Sequence, residues 1–270
     1  MPSQSEHDTT SVVDNRDPRL IERVLGPVRR FLRIYHRAEV RGLQRMPDGG
    51  ALVVSNHSGG MMTMDTAVFA AGFYERFGLR RPVYTLCHDL MAIWPIANVV
   101  SRIGAIQASR ENAAAALRAG AVVMVFPGGE YDVYRPTGAG RTIDFNGRTG
   151  YIRTALATNV PIVPVVSIGG QETQLFLARG QGLAKWLGLK RFLRMDTLPV
   201  SIGVPFGLTV MLSPNIPLPS KIVTEVLDPI DVIAEFGSDP DIAAVDAHVR
   251  ITMQRALDGL AADRRFPVLG

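Results

Sequence analysis

The sequence predicts a single α/β domain built on a mixed, mostly parallel sheet flanked by helices. Three observations carry that reading. Short, uninterrupted apolar runs of strand length alternate with helical patterns, as strands buried on both faces require. The chain has 270 residues, enough to bury one large core. Hydrophobic residues make up 47% and charged residues 20%, which excludes a disordered chain or a fibrous repeat. Lys plus Arg is 29 against Asp plus Glu at 25, a formal charge of +4, too mild to call for a nucleic-acid partner. One cysteine, Cys87, cannot close an internal disulfide, which fits a reducing compartment.

Residues 1–17 are polar and lack an apolar segment of signal-peptide type, so they are expected to be a disordered tail ahead of a domain over 18–270. Residues 18–37 space Ile21, Val24, Leu25, Val28, Phe31, Leu32 and Tyr35 as a helix, with Pro27 expected to kink or interrupt it. Six arginines share this segment with one acid, Glu22, so it reads as a basic amphipathic helix able to lie on anionic headgroups or simply to pack on the domain. A β-like piece follows at 38–41, then a buried strand at 51–55. A helix is expected from Asp65 to about Phe77, a strand at 83–86, and a helix at 109–118 capped by Ser109. A strand at 121–126, a helix at 149–158 and a strand at 161–167 complete the alternation. Residues 174–212 form a second basic, apolar segment expected to face a membrane, interleaving Leu175, Trp186 and Leu193 with Arg179, Lys185 and Lys190. A late strand at 222–227 and a helix at 242–260 end the chain. No stretch of eighteen or more apolar residues suits a spanning helix.

Chemistry in such sheets collects at the carboxyl ends of strands, and two segments stand there. The first is Asn56-His57-Ser58-Gly59-Gly60. His7, His36 and His248 read as surface residues, whereas His57 follows a buried strand and precedes two glycines that permit a sharp turn. Asp65, eight residues on, could orient its imidazole to make a general base, since a neutral imidazole accepts a proton near neutral pH. The alternative is a loop histidine beside an Asp65 that only caps its helix. The second segment is Phe126-Pro127-Gly128-Gly129-Glu130, with Asp132 beyond it, where paired glycines can turn backbone N–H groups toward an anion. Arg110, Arg135, Arg141, Arg148 and Arg153 lie near these loops and could grip a phosphate. Rival sites are poorly supported. Cys87 and His88 are adjacent and would point to opposite faces of a strand, and Ser58 lies in no nucleophile elbow. No metal-ligand spacing is present, so no metal is expected.

In chain order, Asn56-His57-Ser-Gly-Gly with Asp65, Gly104-Ala-Ile, Phe126-Pro-Gly-Gly-Glu130 and Val160-Pro-Ile-Val-Pro-Val165 resemble the blocks of the phospholipid/glycerol acyltransferase superfamily. The lysophosphatidate acyltransferase-like enzymes are the model, and the Gly-Gly forms look most like the hemolysin-like and diacylglycerol acyltransferase-related branch. The resemblance runs from about Val40 to Leu227. It implies a glycerolipid acyltransferase-like fold with membrane-facing basic helices, His57 as general base and Asp65 as its partner. It also implies that Ser58, Gly59, Gly60, Arg110, Phe126, Pro127, Gly128, Gly129, Glu130 and Arg148 bind substrate. Two features depart from the pattern. The aspartate usually comes five residues after the histidine, where Met62 stands here, and the usual Pro-Glu-Gly reads Pro127-Gly128-Gly129. Either Glu130 or Asp132 could then fill the acid's role. The activity implied is transfer of a fatty acyl group from acyl-CoA or acyl-carrier-protein, acting as substrate rather than cofactor, to a hydroxyl of a glycerolipid or lysophospholipid. The expected setting is cytoplasmic, peripheral on the inner face of an anionic membrane. The alternative is a non-catalytic lipid-binding or membrane-remodelling protein on the same fold. A lipid hydrolase using Ser58 is a third reading.

Overall fold

The computed structural model describes residues 15–60, 62–88, 97–139, 141–193, 195–211, 213–266 and 268. The part of the expected tail at 1–14 lies outside them. Arg16 and Asp17, counted with that tail on sequence, are anchored instead: Arg16 donates to Leu79 O at 2.9 Å, and Asp17 caps the first helix through the N–H groups of Arg19 and Leu20.

That helix, α1 (Pro18–Tyr35), runs on through Gly26–Pro27, so the expected interruption does not occur. Proline removes only its own N–H, and the buried Ile21 and Leu32 pin the helix on either side of it. The described residues then build a seven-stranded sheet from β1 (Glu39–Arg41), β2 (Ala51–Ser55), β3 (Val83–Cys87), β4 (Ala105–Gln107), β5 (Val122–Val125), β6 (Ile162–Ile168) and β10 (Val223–Val226). Its order is β1-β10-β6-β2-β5-β3-β4. Neighbours are parallel except β10 against β6, which confirms the mixed, mostly parallel sheet.

Alternation along the central strand explains its uniformly apolar sequence. Leu52 and Val54 face one layer, made with α4 (Arg110–Arg118), α6 (Gly150–Thr158) and α10 (Ile242–Ala262). Ala51 and Val53 face the opposite layer, where Ile21 of α1 meets Phe69 and Phe73 of α2 (Met64–Phe77). With helices on both faces, every residue of β2 and β6 is buried. Ser109 caps α4 as expected, accepting from Asn112 N at 3.0 Å. Sequence reading missed α3 (Ala97–Arg102), β4, α5 (Gly129–Val133) and α9 (Val232–Phe236), all short elements.

One further expectation fails. His36 is buried rather than at the surface. The chain turns at Arg37 in the left-handed region, and the ring tucks beneath residues 217–222, with Nδ1 3.1 Å from Ser220 O and Phe31 and Tyr35 edge-on to it. Burial pushes its pKa below the ordinary histidine value. Residues 174–212, the second basic apolar segment, contain β7 (Leu175–Ala178), α7 (Gln181–Trp186) and α8 (Leu189–Leu193), which lead into β8 (Val200–Gly203) and β9 (Gly207–Val210). The three strands pair antiparallel as a separate small sheet. Among the described residues no helix is long and apolar enough to cross a membrane.

Candidate active site

The site lies at the carboxyl end of β2, the middle strand of the sheet, where neighbouring connections leave in opposite directions. Asn56, the residue after β2, fixes the exit of the chain. Its side chain donates to Ser167 O and accepts from Ser167 N, both at 2.8 Å, tying β2 to β6. His57 then leaves the sheet with its ring stacked on Phe126, the residue after β5, at a centroid distance of 3.9 Å and 19°.

Asp65 reaches His57 from the first turn of α2. Its Oδ2 lies 3.2 Å from His57 Nδ1 and accepts from Ser58 N at 2.9 Å, while Oδ1 accepts from Thr66 N at 2.7 Å. The carboxylate side chain is 1% exposed and the imidazole 16%. This removes the alternative in which Asp65 merely caps its helix: the cap position belongs to Thr63, which makes no side-chain cap bond, and Asp65 turns toward the ring. The longer spacing is absorbed by Gly59 and Gly60, at φ 87° and 67°, which fold the loop back on itself. Gly60 has a second constraint, since a Cβ there would lie 2.7 Å from both Phe176 Cζ and Gln174 Oε1.

The second segment divides its two acids between different tasks. Glu130, expected to bind substrate, is already engaged: it accepts from Asp196 N at 2.6 Å and from Thr197 Oγ1 at 3.3 Å, locking α5 to the chain after α8. Asp132 turns to the site, and its Oδ2 accepts the backbone N–H of His57 at 2.7 Å. Its Oδ1 pairs with Arg135, whose guanidinium also donates to Thr142 O. Arg135 is therefore committed and buried rather than open to a phosphate. Burial, only partly offset by Arg135 and the His57 N–H, raises the Asp132 pKa to about 6. Sequence reading had no means of seeing this contact, because it joins a side chain to the main chain of a residue 75 positions away.

Two cavities flank the stacked rings. The larger, about 710 Å³, is lined by Asn56, His57, Ser58, Asp132 and Arg141 and closed by α10 at Leu257. The smaller, about 330 Å³, runs from Phe126 and Pro127 to Arg110 and Arg148, over an apolar floor that includes Leu86 and Tyr151. Arg148 Nη1 approaches Gly128 O at 3.2 Å and would be 2.6 Å from a Cβ on Gly129, so a side chain at 129 would displace it. Gly128 is equally confined, 2.6 Å from Asp132 Cβ by the same measure. Arg153 is exposed and lines neither cavity. Ser58 is buried, with its hydroxyl directed at Asp65 at 3.4 Å rather than at the imidazole, so the serine–histidine pair of a hydrolase is not formed. His57 Nε2 has no hydrogen-bond partner among the described residues.

The α/β sheet thus presents an imidazole oriented by a buried carboxylate between two cavities, with no serine or cysteine hydrogen-bonded to it among the described residues. Comparison with known proteins supplies the lineage. The Acyltransferase family matches residues 37–168. An uncharacterized protein of Mycobacterium tuberculosis is 30% identical over 256 residues, covering 92% of this chain and 69% of that protein. A mouse "DGAT1/2-independent enzyme synthesizing storage lipids" is 28% identical over 218 residues, and the match spans 81% of this chain but 62% of the enzyme. Among solved structures, the 1-acyl-sn-glycerophosphate acyltransferase of Thermotoga maritima shares the fold, with a TM-score of 0.54 at 18% identity over 88% of this chain and 80% of that one. The chain belongs to the phospholipid/glycerol acyltransferase superfamily.

Proposed function

We propose that the protein moves a fatty acyl group from an acyl-CoA or acyl-carrier-protein thioester to a hydroxyl of a glycerolipid or lysophospholipid. The observation that carries this is the His57–Asp65 pair, with Nδ1 held at 3.2 Å and Nε2, beside a cavity, without a hydrogen-bond partner among the described residues. Nε2 takes the proton of the acceptor hydroxyl as its oxygen attacks the thioester carbonyl. Asp65 stabilises the imidazolium that forms. The tetrahedral intermediate then collapses, and the departing thiolate recovers the proton from His57. The products are an ester and a free thiol, and no covalent enzyme intermediate is required because the donor is already activated. The oxyanion falls to backbone N–H groups at Gly59 or Gly128, which have no partner among the described residues. Such a donor is worth roughly 3–4 kcal/mol.

Arg110 and Arg148, which line the smaller cavity, suit the phosphate-bearing part of a substrate. The likeness to enzymes named for storage-lipid synthesis and glycerophosphate acylation supports a glycerolipid acceptor, and an acceptor of that kind suits a peripheral protein at an anionic membrane. Incubating the purified protein with labelled acyl-CoA and mixed lysolipids tests the proposal. A labelled diacyl product from the wild type, absent with His57→Ala, supports it. Liposome binding without any turnover would instead favour the non-catalytic lipid-binding reading.

A further inference from the structure

The small sheet carries its side chains the opposite way round from a sheet that faces water. Its register sets Leu175 opposite Ile202 and Ile202 opposite Leu208, and all three are exposed, Leu208 at 66%. The other face holds Phe176, Ser201 and Thr209. Ser201 Oγ lies 3.1 Å from Thr209 Oγ1, to which Ser213 Oγ donates at 2.8 Å. A sheet against water turns hydroxyls outward and aliphatic side chains in. Here the hydroxyls satisfy one another inside while leucine and isoleucine face out. The β8–β9 turn extends the apolar face with Val204 and Phe206, the latter 53% exposed.

This face is continuous with α1. Ile216 N donates to Val204 O at 2.8 Å, and Tyr35 Oη donates to Pro217 O at 2.8 Å, so residues 216–218 bridge the turn to the end of α1. Ile216 and Leu218 in that bridge are exposed, as are Phe31 and Ile34 on α1. The hydrogen-bonded bridge thus joins two segments about 140 residues apart in sequence that both expose apolar side chains, a grouping beyond the single scattered residues normal on a soluble protein. The same two segments carry exposed basic side chains: Arg30 and Arg33 on α1, and Lys185, Lys190 and Arg191 on α7 and α8. Between residues 175 and 211 the sequence has a single acid, Asp196, and it is already paired with Lys190. Trp186, next to Lys185 in the chain, is 81% exposed.

We propose that this surface docks on an anionic lipid bilayer, with the β8–β9 turn and Trp186 entering the headgroup boundary. Charge and composition favour lipid over a protein partner: exposed aliphatic groups, exposed cations and an exposed tryptophan in the same segments, with almost no acid, are the composition of an interfacial anchor. The inner face of β7 adds a connection to the site, because Phe176 packs against Gly60 in the loop that carries His57. The sheet that docks thus abuts the loop carrying His57; reading this as bringing the site close to its lipid acceptor rests on the acyl-transfer proposal, whereas the docking does not.

The test uses the full chain with Trp94→Phe, leaving Trp186 as the single tryptophan. Vesicles are phosphatidylcholine alone or with about 30 mol% phosphatidylglycerol, the anionic component expected to matter. Expected are binding to the mixed vesicles, quenching of Trp186 by brominated phosphatidylcholine, and at least about tenfold weaker binding of Phe206→Asp/Leu208→Asp. Leu208→Ser serves as a milder variant if the double one fails to fold. Bound protein with unquenched Trp186, or a folded variant that binds as the wild type does, would overturn the proposal. So would a variant that loses a dimer while keeping its vesicle binding, since the surface would then belong to a second copy. Turnover of a short-chain, water-soluble acceptor is read in parallel. Its absence in the wild type counts against acyl transfer and leaves the docking result standing.

Discussion

Replacing Asp65 by Asn isolates the charge of the carboxylate while keeping its shape. Asp65 is 1% exposed, with one oxygen facing Ser58 N and His57 Nδ1 and the other facing Thr66 N. An amide offers one acceptor and one donor group, so a donor must oppose a backbone N–H in either orientation. That costs about 1–3 kcal/mol of stability. If the amide oxygen keeps its contact with Nδ1, the imidazolium formed during transfer still loses a counter-charge 3.2 Å away. At an effective dielectric of about 20 the attraction is about 5 kcal/mol, and the neutral hydrogen bond that survives returns roughly 1–1.5 kcal/mol of it. The net loss of about 3–4 kcal/mol corresponds to a fall in kcat of roughly 10²–10³. KM should stay within about threefold, because the charge develops only after substrate binds. Thiol release from acyl-CoA with a lysolipid acceptor gives both parameters. A folded Asp65→Asn enzyme that keeps a third or more of the wild-type kcat would refute the reasoning.

Other expectations follow from single contacts. Asp132 has a folded pKa raised to about 6, so the native state binds a proton between about pH 4 and 6 that the unfolded chain lacks. That stabilisation is present at low pH and lost as pH rises through 6; relative to Asp132→Asn, the wild type should lose about 2 kcal/mol of unfolding free energy between pH 4.5 and 7, measured in urea. The same variant should lower kcat by loosening the His57 main chain. Gly60→Ala places a side chain at φ 67° and 2.7 Å from the Phe176 ring, so it should cost about 1–2 kcal/mol and reduce kcat further than that loss of folded protein explains, read by thermal melting and turnover together. Burial pushes the Cys87 thiol up to about 11, so maleimide should label it about a hundredfold more slowly at pH 8 in the native protein than after denaturation. Equal rates would place the thiol at the surface.

What the sequence made legible follows from burial and local chemistry. β2 and β6 could be read because helices cover both of their faces, and such strands must be apolar at every position. His57 and Asp65 could be read because two glycines after a strand announce a turn, and that turn closes the distance between them. Contacts between distant parts of the chain left no local trace. Nothing near Asp132 signals that it holds the backbone of His57, and polar neighbours disguised His36, which is buried by residues some 180 positions later. The small sheet escaped for a different reason. Its outward residues do alternate, as Leu175 with Leu177 and Leu208 with Val210, but glycines and prolines break the strands into runs of four residues, too short for the alternation to stand out.

The central claim is that the His57 imidazole removes the acceptor's proton, and the most direct measurement is kcat for His57→Gln at saturating donor and acceptor, with donor binding measured separately by calorimetry. Glutamine can fill much of the space against Phe126 but cannot accept a proton at neutral pH. The account predicts unchanged donor binding and a kcat lower by about 10²–10⁴, the range that positioned acid–base groups supply. Donor binding unchanged with kcat within fivefold of the wild type would contradict it.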